Sequence, residues 1–362
     1  MAGRRVAVVG VGLIGGSLGL ALRRIGATVV GVDRSAEALE RARDLGAVDE
    51  AADLASAVAE ADIVVIATPV GQIVPTVELV AASAQSGTVV TDVGSTKGPI
   101  VGGAEAILGP RLPFVGGHPM AGTEGEGVEA ARADLFEGAL WLLTPTERTD
   151  TDAFRTVNTL IGELGARTLA LDPSAHDRLV ALVSHLPYAL ATALASLAGR
   201  AGDERVFTAA AGTFRDVTRT AGSNPSIWRD ILAANRDALL AELEAFWEEL
   251  SDLRGALVDR DFDRLDGLLS RAREAKARFP AKGGRGPTRP ITLDVPVQDR
   301  AGVLADVTTA LGDAGINIED LWMEHGPAAG AVRLVVDGEG AASRAEDALR
   351  ARGHRVVRMG ER

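Results

Sequence analysis

The stretch Val6-Ala7-Val8-Val9-Gly10-Val11-Gly12-Leu13-Ile14-Gly15-Gly16-Ser17-Leu18 decides how the first half of the chain is read. A short β-branched apolar run ends in glycines at 10, 12 and 15, and a helix-compatible stretch continues through Arg24. This G-x-G-x-x-G spacing between a strand and a helix predicts a tight turn at Gly10, close approach of a pyrophosphate at Gly12 and close helix–strand packing at Gly15. The helix start, at Leu13 and Ile14, then turns free N–H groups toward the anion. A second apolar run, "ATVVGVD" (27–33), follows after one turn and completes a βαβ unit. Asp33 ends that strand, where a carboxylate accepts hydrogen bonds from the adenosine ribose hydroxyls. A glycine turn alone is weak evidence, but with Asp33 it predicts a dinucleotide site. The carboxylate repels a 2′-phosphate and so favours NAD over NADP, although Arg34 next to it is a possible partner for that phosphate. Thr68-Pro69 closes the strand "IVVIA", where the loop passes the ribose or nicotinamide side.

Outward from this unit the alternation continues with "ADIVVIATP" (61–69), "GTVVTDVGS" (87–95), "LPFVGG" (112–117) and "GALWLLTP" (138–145). Near-continuous apolar strands suit a parallel sheet covered on both faces. A helix over 150–164 and the strand "RTLALD" (167–172) complete an α/β Rossmann-type domain spanning 1–171. From Asp172 strand signals stop, and helical patterns run over 174–200, 203–220, 225–254 and 259–278, predicting an all-α domain over 172–280. Segments apolar around much of their circumference, such as "LVALVSHLPYALATALASLA", predict burial in an intertwined homodimer. Residues 271–289 carry seven basic residues against one acidic and end in Gly and Pro, which marks a helix end and a linker over 281–289. A βαββαβ pattern over 290–362 predicts a small α+β, ferredoxin-like domain.

The 362 residues carry a formal charge of −12, which disfavours non-specific binding to nucleic acid or anionic membrane. The chain has no cysteine, which excludes disulfides, thiol nucleophiles and zinc–thiolate sites, and no metal site is expected. The start "MAGRRVAVVGVG" lacks an apolar leader, and no uninterrupted apolar run reaches the roughly 18 residues of a membrane span; a cytoplasmic protein is expected.

Chemistry is expected at the carboxyl edge of the sheet, where open α/β sheets bind ligands. Ser95 in "TDVGSTKG" lies there, with helix capping as its alternative role, and His118 in "GGHPMAGTE" follows the next strand. An imidazole beside a nicotinamide can accept a hydroxyl proton while hydride leaves the same carbon. In the helical segment His185 falls on a buried face, where a core histidine is the simpler expectation. Arg215, Arg219 and Arg229 are candidate carboxylate partners, and Trp228 and Trp247 read as core or interface aromatics.

Five ordered motifs, "VGLIGGSLGLAL", "DVGSTKG", "GGHPMAGTE", "HDRLVALVSHLPY" and "FRDVTRTAGSNPSIWRDI", make the chain resemble the prephenate dehydrogenase family over essentially its whole length. The tail "DRAGVLADVTTALGDAGINI" resembles an ACT domain, a module that commonly binds an amino acid. The resemblance implies NAD-dependent oxidative decarboxylation of prephenate to 4-hydroxyphenylpyruvate, with His118 as the base and Ser95 orienting it. It also implies that Thr123 and Glu124 line the pocket, that His185 contacts substrate, and that Arg219 binds a substrate carboxylate. Asp216 and Trp228 belong to the same motif, near a subunit boundary. In the tail, Asp299, Ala301, Gly302, Val303, Leu304, Asn317 and Ile318 are the implied effector residues, with tyrosine as effector and phenylalanine second. Ala301 stands where the common pattern has proline. Rival expectations are an arogenate dehydrogenase, a β-hydroxyacid dehydrogenase, disfavoured because Lys276 is the only lysine between 172 and 280, and a catalytically silent sensor.

Overall fold

The run Arg5–Val9 forms a central strand, β1, buried on both faces because helices cover the sheet from either side. The computed structural model describes residues 1–122, 125–279, 290–298, 303–314, 316, 320–324 and 330–359. In it β1 pairs in parallel with β2 (Thr28–Val32) and β4 (Ile63–Ile66). The remaining strands are β3 (Glu50–Ala51), β5 (Val89–Asp92), β6 (Phe114–Pro119), β7 (Leu140–Thr144) and β8 (Arg167–Ala170), in the order 3-2-1-4-5-6-7-8. Pairing is parallel except between β6 and β7. The order reverses between β1 and β4, so the ligand crevice opens beyond their carboxyl ends.

Six helices cover this sheet: α1 (Leu13–Arg24), α2 (Ala36–Asp44), α3 (Leu54–Ala59), α4 (Val70–Ser83), α5 (Gly98–Leu108) and α6 (Thr151–Glu163). Alternate residues of β1 serve the two cores. Val6 and Val8 pack with Leu18 and Leu22 of α1 and Leu160 of α6, while Ala7 and Val9 pack with Ile73 and Val77 of α4 and Ile100 of α5. Each fully buried Val, Leu or Ile contributes about 1.5–3 kcal/mol, so the two layers fix the strand ends from which the site is built.

The helical segment departs from the long helices expected. The predicted helix 174–200 is α7 (Pro173–Val180), a π turn (Ala181–His185) and α8 (Leu186–Gly199). Pro187 has no N–H for the Val183 carbonyl and its ring crowds that group, and Leu186 N–H reaches back to Ala181 O instead. The predicted helix 203–220 is α9 (Arg205–Ala209) and α10 (Gly212–Thr218), parted by extended backbone at Ala210 and Ala211. The predicted helix 225–254 is α11 (Pro225–Ala234) and α12 (Arg236–Asp259), broken at the buried Asn235. After these comes α13 (Phe262–Ala277), which buries no residue. Large apolar side chains stay exposed, among them Leu182, Val183, Leu197, Trp247 and Phe262. Although no uninterrupted apolar run is that long, Pro173–Gly199 has the length and mean hydropathy of a membrane span, with a third of its most apolar window buried.

The chain divides into two compact units, Met1–Gly255 and Ala256–Arg362. The second contains β9 (Pro290–Val297), α14 (Val303–Asp313), β10 (Asp320–Glu324), β11 (Gly330–Asp337), α15 (Glu339–Ala351) and β12 (Val357–Met359). Its antiparallel sheet has the order β10-β11-β9-β12, and Leu293, Val295, Val307, Leu311, Leu334 and Leu349 form its core. This is the ferredoxin-like α+β arrangement expected from the sequence.

Candidate active site

The glycine turn holds the geometry a dinucleotide needs. Gly10 sits at φ +98°, and a Cβ there would lie 2.6 Å from the Ala67 carbonyl oxygen. A Cβ at Gly15 would lie 1.8 Å from the Gly10 carbonyl oxygen, so α1 can pack only on glycine. At Gly12, by contrast, an added Cβ meets nothing within 4 Å, which makes this the open side of the turn. No side chain caps α1, so the first amides, at Leu13 and Ile14, face outward uncapped. Asp33 accepts from Val11 N–H at 3.0 Å and from Ser35 N–H at 2.9 Å, which ties its carboxylate to the turn. Arg34 beside it is exposed. Across the crevice the Thr68 hydroxyl is buried with no hydrogen-bond partner, and Pro69 is the N-cap of α4. An open glycine turn, an uncapped helix and an orphan hydroxyl fit a bound dinucleotide.

The next strand end is held by a buried ion pair. Lys97 Nζ donates to Asp92 Oδ2 at 2.6 Å and to the Thr96 carbonyl at 2.9 Å, and both charged side chains are fully buried. Asp92 Oδ2 also accepts from Gly94 N–H at 2.8 Å, and Oδ1 from Gly117 N–H at 3.1 Å. One carboxylate thus ties the turn carrying Ser95 to the strand carrying His118. Ser95 is half-buried in that turn and does not cap α5. The capping acceptor is Asp177 of α7, which takes Lys97 N–H at 2.7 Å and Gly98 N–H at 2.8 Å.

His118 lies within β6, opposite Leu142 of β7, rather than in a loop after the strand. Gly116 and Gly117 therefore serve packing: a Cβ at Gly116 would clash with Thr144 Oγ1 and lie 2.8 Å from Val101 Cγ2, and one at Gly117 would lie 2.8 Å from the Asp92 carbonyl oxygen and 2.9 Å from Trp141 Nε1. His118 is 8% exposed. Its Nδ1 is 2.9 Å from His176 Nε2, and His176 Nδ1 is 2.8 Å from Asp177 Oδ1. Burial holds the His118 imidazole well below its ordinary pKa, and the Lys97 ammonium and the neighbouring His176 and His185 rings add to that. Burial alone would raise the Asp177 carboxyl, but bonds from His176 and the Gly98 and Lys97 amides bring it below the usual carboxylate value. The site thus presents a neutral imidazole at the sheet edge, with a carboxylate two groups behind it.

His185 is 1% exposed, and its Nδ1 is 3.1 Å from Asn235 Nδ2, which also donates to the Asp177 carbonyl at 2.8 Å. Burial pushes its pKa down to about 4, with Asp177 opposing and His176 adding. Trp228 meets the His185 ring edge-on and stacks on Tyr188 with centroids 3.7 Å apart. Arg219 and Asp216 are exposed, Arg219 at the start of a turn that packs on α8. Thr123 and Glu124 lie outside the described residues, as do Asp299, Ala301, Gly302, Asn317 and Ile318 of the tail. Val303 packs in the core of the second unit, and only the backbone of Leu304 is described.

Sequence inspection missed His176, Asp177, Asn235, Asp92 and Lys97 as site residues. The signal available was a His-Asp pair opening the helical segment of a chain with five histidines, and a lysine two residues beyond Ser95.

Models of known families match nearly the whole chain. Residues 18–170 match the prephenate dehydrogenase nucleotide-binding domain, 172–271 the prephenate dehydrogenase dimerization domain, and 291–352 the ACT domain. The chain is 36% identical over 324 residues to a prephenate dehydrogenase of Bacillus subtilis, covering 87% of each. The Aquifex aeolicus prephenate dehydrogenase, solved in complex with hydroxyphenyl propionate and NAD+, is 34% identical, with a TM-score of 0.72 over 76% of this chain and 98% of that one. A Synechocystis arogenate dehydrogenase is 33% identical, with a TM-score of 0.67 over 75% of this chain and 99% of that one.

Proposed function

Since the chain belongs to the prephenate dehydrogenase family, we propose that it converts prephenate to 4-hydroxyphenylpyruvate and CO2 with NAD as the hydride acceptor. The observation that carries this is His118: a buried, neutral imidazole on β6, in the row of carboxyl strand ends that also carries the open glycine turn. Gly10, Gly12, Gly15 and the amides of Leu13 and Ile14 would hold the pyrophosphate, and Asp33 the adenosine ribose, with Arg34 beside it. Thr68 and Pro69 would border the nicotinamide side. NAD, when bound, supplies the acceptor for the hydride leaving the ring carbon that bears the hydroxyl.

The chain's own groups do the rest. His118 accepts the hydroxyl proton, and Ser95 orients that hydroxyl against it. As a carbonyl develops at that carbon, the electron pair of the ring C–carboxylate bond is drawn into the ring, CO2 departs and the ring becomes aromatic. Arg219 would grip a substrate carboxylate and Trp228 form a wall backed by His185, and on the family resemblance Thr123, Glu124 and Asp216 are taken as substrate residues. A site built this way is closed to bulk water on the His118 side, since His118, His176 and Lys97 are all buried.

The helical domain, 172–280, joins two copies of the chain. Exposed Leu182, Leu197 and Trp247 support that dimer, which would also cover the apolar face of Pro173–Gly199 in a cytoplasmic protein. The tail domain, 290–362 beyond the 281–289 linker, is a regulatory module whose effector we take to be tyrosine.

The test is NADH formation from prephenate and from arogenate, each with NAD and with NADP. Prephenate with NAD is expected to give the highest kcat/KM. A preference for arogenate would select the second substrate, consistent with the similarity to an arogenate dehydrogenase, and the absence of turnover with either would leave only a sensor. Arg219→Gln is expected to raise KM for prephenate about 10- to 100-fold, the loss of one charge-assisted hydrogen bond, with kcat little changed. A large fall in kcat at constant KM contradicts that role.

A further inference from the structure

The two polar groups behind His118, His176 and Asp177, determine more than its orientation. An ionised carboxylate only accepts hydrogen bonds. Asp177 takes backbone N–H groups from Lys97 and Gly98 on its two oxygens, so its third contact, His176 Nδ1 at 2.8 Å, is a bond donated by the imidazole. A neutral histidine protonated on Nδ1 carries a lone pair on Nε2. That nitrogen lies 2.9 Å from His118 Nδ1 and must accept from it. His118 is then protonated on Nδ1, and its Nε2 has the lone pair.

We propose that Asp177 and His176 are positioning residues that impose this tautomer on His118, leaving Nε2 as the nitrogen that takes the substrate's hydroxyl proton. The role of Nε2 rests on His118 being the base of the proposed reaction; the tautomer itself does not. The proton balance is simple. One proton moves from the substrate oxygen to Nε2, none has to leave the imidazole, and the Nδ1–H···Nε2 bond to His176 strengthens as His118 becomes cationic. Burial, Lys97, His176 and His185 weigh against that charge, and Asp92 pairs with Lys97. Without the Asp177 acceptor, His176 is free to donate from Nε2. His118 Nδ1 would then accept, and the proton would sit on the nitrogen needed for chemistry. Replacement of the buried aspartate in a Ser-His-Asp triad acts in the same way, through the wrong tautomer.

The test is nitrogen NMR of 15N-histidine-labelled full-length protein at pH 8 without substrate, with signals assigned through single variants. His118 and His176 are both expected in the neutral Nδ1–H form. Asp177→Asn is expected to move His118 toward the Nε2–H form and to lower kcat for prephenate on the order of 10²–10⁴-fold. NAD affinity measured on the same sample should stay near wild type, while Tm falls by a few degrees, since asparagine offers one oxygen where Asp177 caps two amides. A second pair guards against a folding defect at the α5 start: His176→Gln keeps an amide oxygen able to accept from His118 Nδ1, so it should retain the tautomer and turn over faster than His176→Leu. Wild-type His118 protonated on Nε2, a doubly protonated His176, or an unchanged His118 tautomer in both Asp177→Asn and His176→Leu would overturn the proposal. Loss of prephenate turnover in wild-type protein with the Nδ1–H pair intact would support the tautomer and count against the function instead.

Discussion

His118→Asn is expected to lower kcat on the order of 10²–10⁴-fold while NAD binds as in the wild type. Asparagine fills similar space on β6 but has no basic nitrogen, so the proton of the substrate hydroxyl has nowhere to go when hydride departs. Binding should survive, because the glycine turn and Asp33 follow the ends of β1 and β2 and bond to one another rather than to His118. A companion result concerns pH. The base must be unprotonated, and burial with Lys97 nearby depresses the His118 pKa below 6.5, so kcat/KM should be level from about pH 7 upward and fall only in acid. The sign for stability is the same. Both His118 and His185, the latter at about 4, are depressed in the folded state, so the unfolded chain binds protons first and stability falls as pH drops below 6.5. Turnover of the variant within about tenfold of wild type, well short of ordinary acid–base catalysis, would remove His118 from the role of base.

Lys97→Met is expected to destabilise the fold by about 3–5 kcal/mol, because it leaves Asp92 as a fully buried charge without its cation. At that size the loss lowers Tm on the order of 10 °C. The two glycine amides that Asp92 accepts are neutral dipoles and do not replace the ammonium. Adding Asp92→Asn to Lys97→Met removes both charges and should recover part of the loss, a coupling that a double-mutant cycle measures. Activity should follow structure here. With the cation gone the acid limb of kcat/KM moves to higher pH, and the tie between the Ser95 turn and β6 loosens. If Lys97→Met melts within about 2 °C of wild type, Asp92 is not the buried carboxylate described.

Much of this is legible in the chain because the strands speak locally. The run before Gly10, the carboxylate at Asp33 and the half-buried alternation of Pro290–Val297 each carry their period within a few residues. The helical segment is less legible, since its breaks are made at a distance. The π turn answers to Pro187 two residues further on, and the break at Asn235 is used by a side chain bonded to Asp177 and His185, 58 and 50 residues away in sequence. By local pattern Ser95 is as able to cap α5 as to serve chemistry. Only the fold reveals that Asp177, 80 residues beyond Lys97, does the capping and frees the serine. The glycines before His118 point to a loop near a cofactor, whereas their lack of side chains makes room for Thr144, Val101 and Trp141 around a strand. Local pattern specifies the cradle, and pairing across the sequence builds the chemistry.

The most direct measurement mixes the full-length protein with prephenate and NAD and counts NADH by absorbance against CO2 released, with 4-hydroxyphenylpyruvate identified in the same mixture. Equal amounts of all three are predicted, with all three falling together in His118→Asn. NADH formed without CO2, or no NADH from prephenate at saturating NAD, would contradict an oxidative decarboxylation carried by His118.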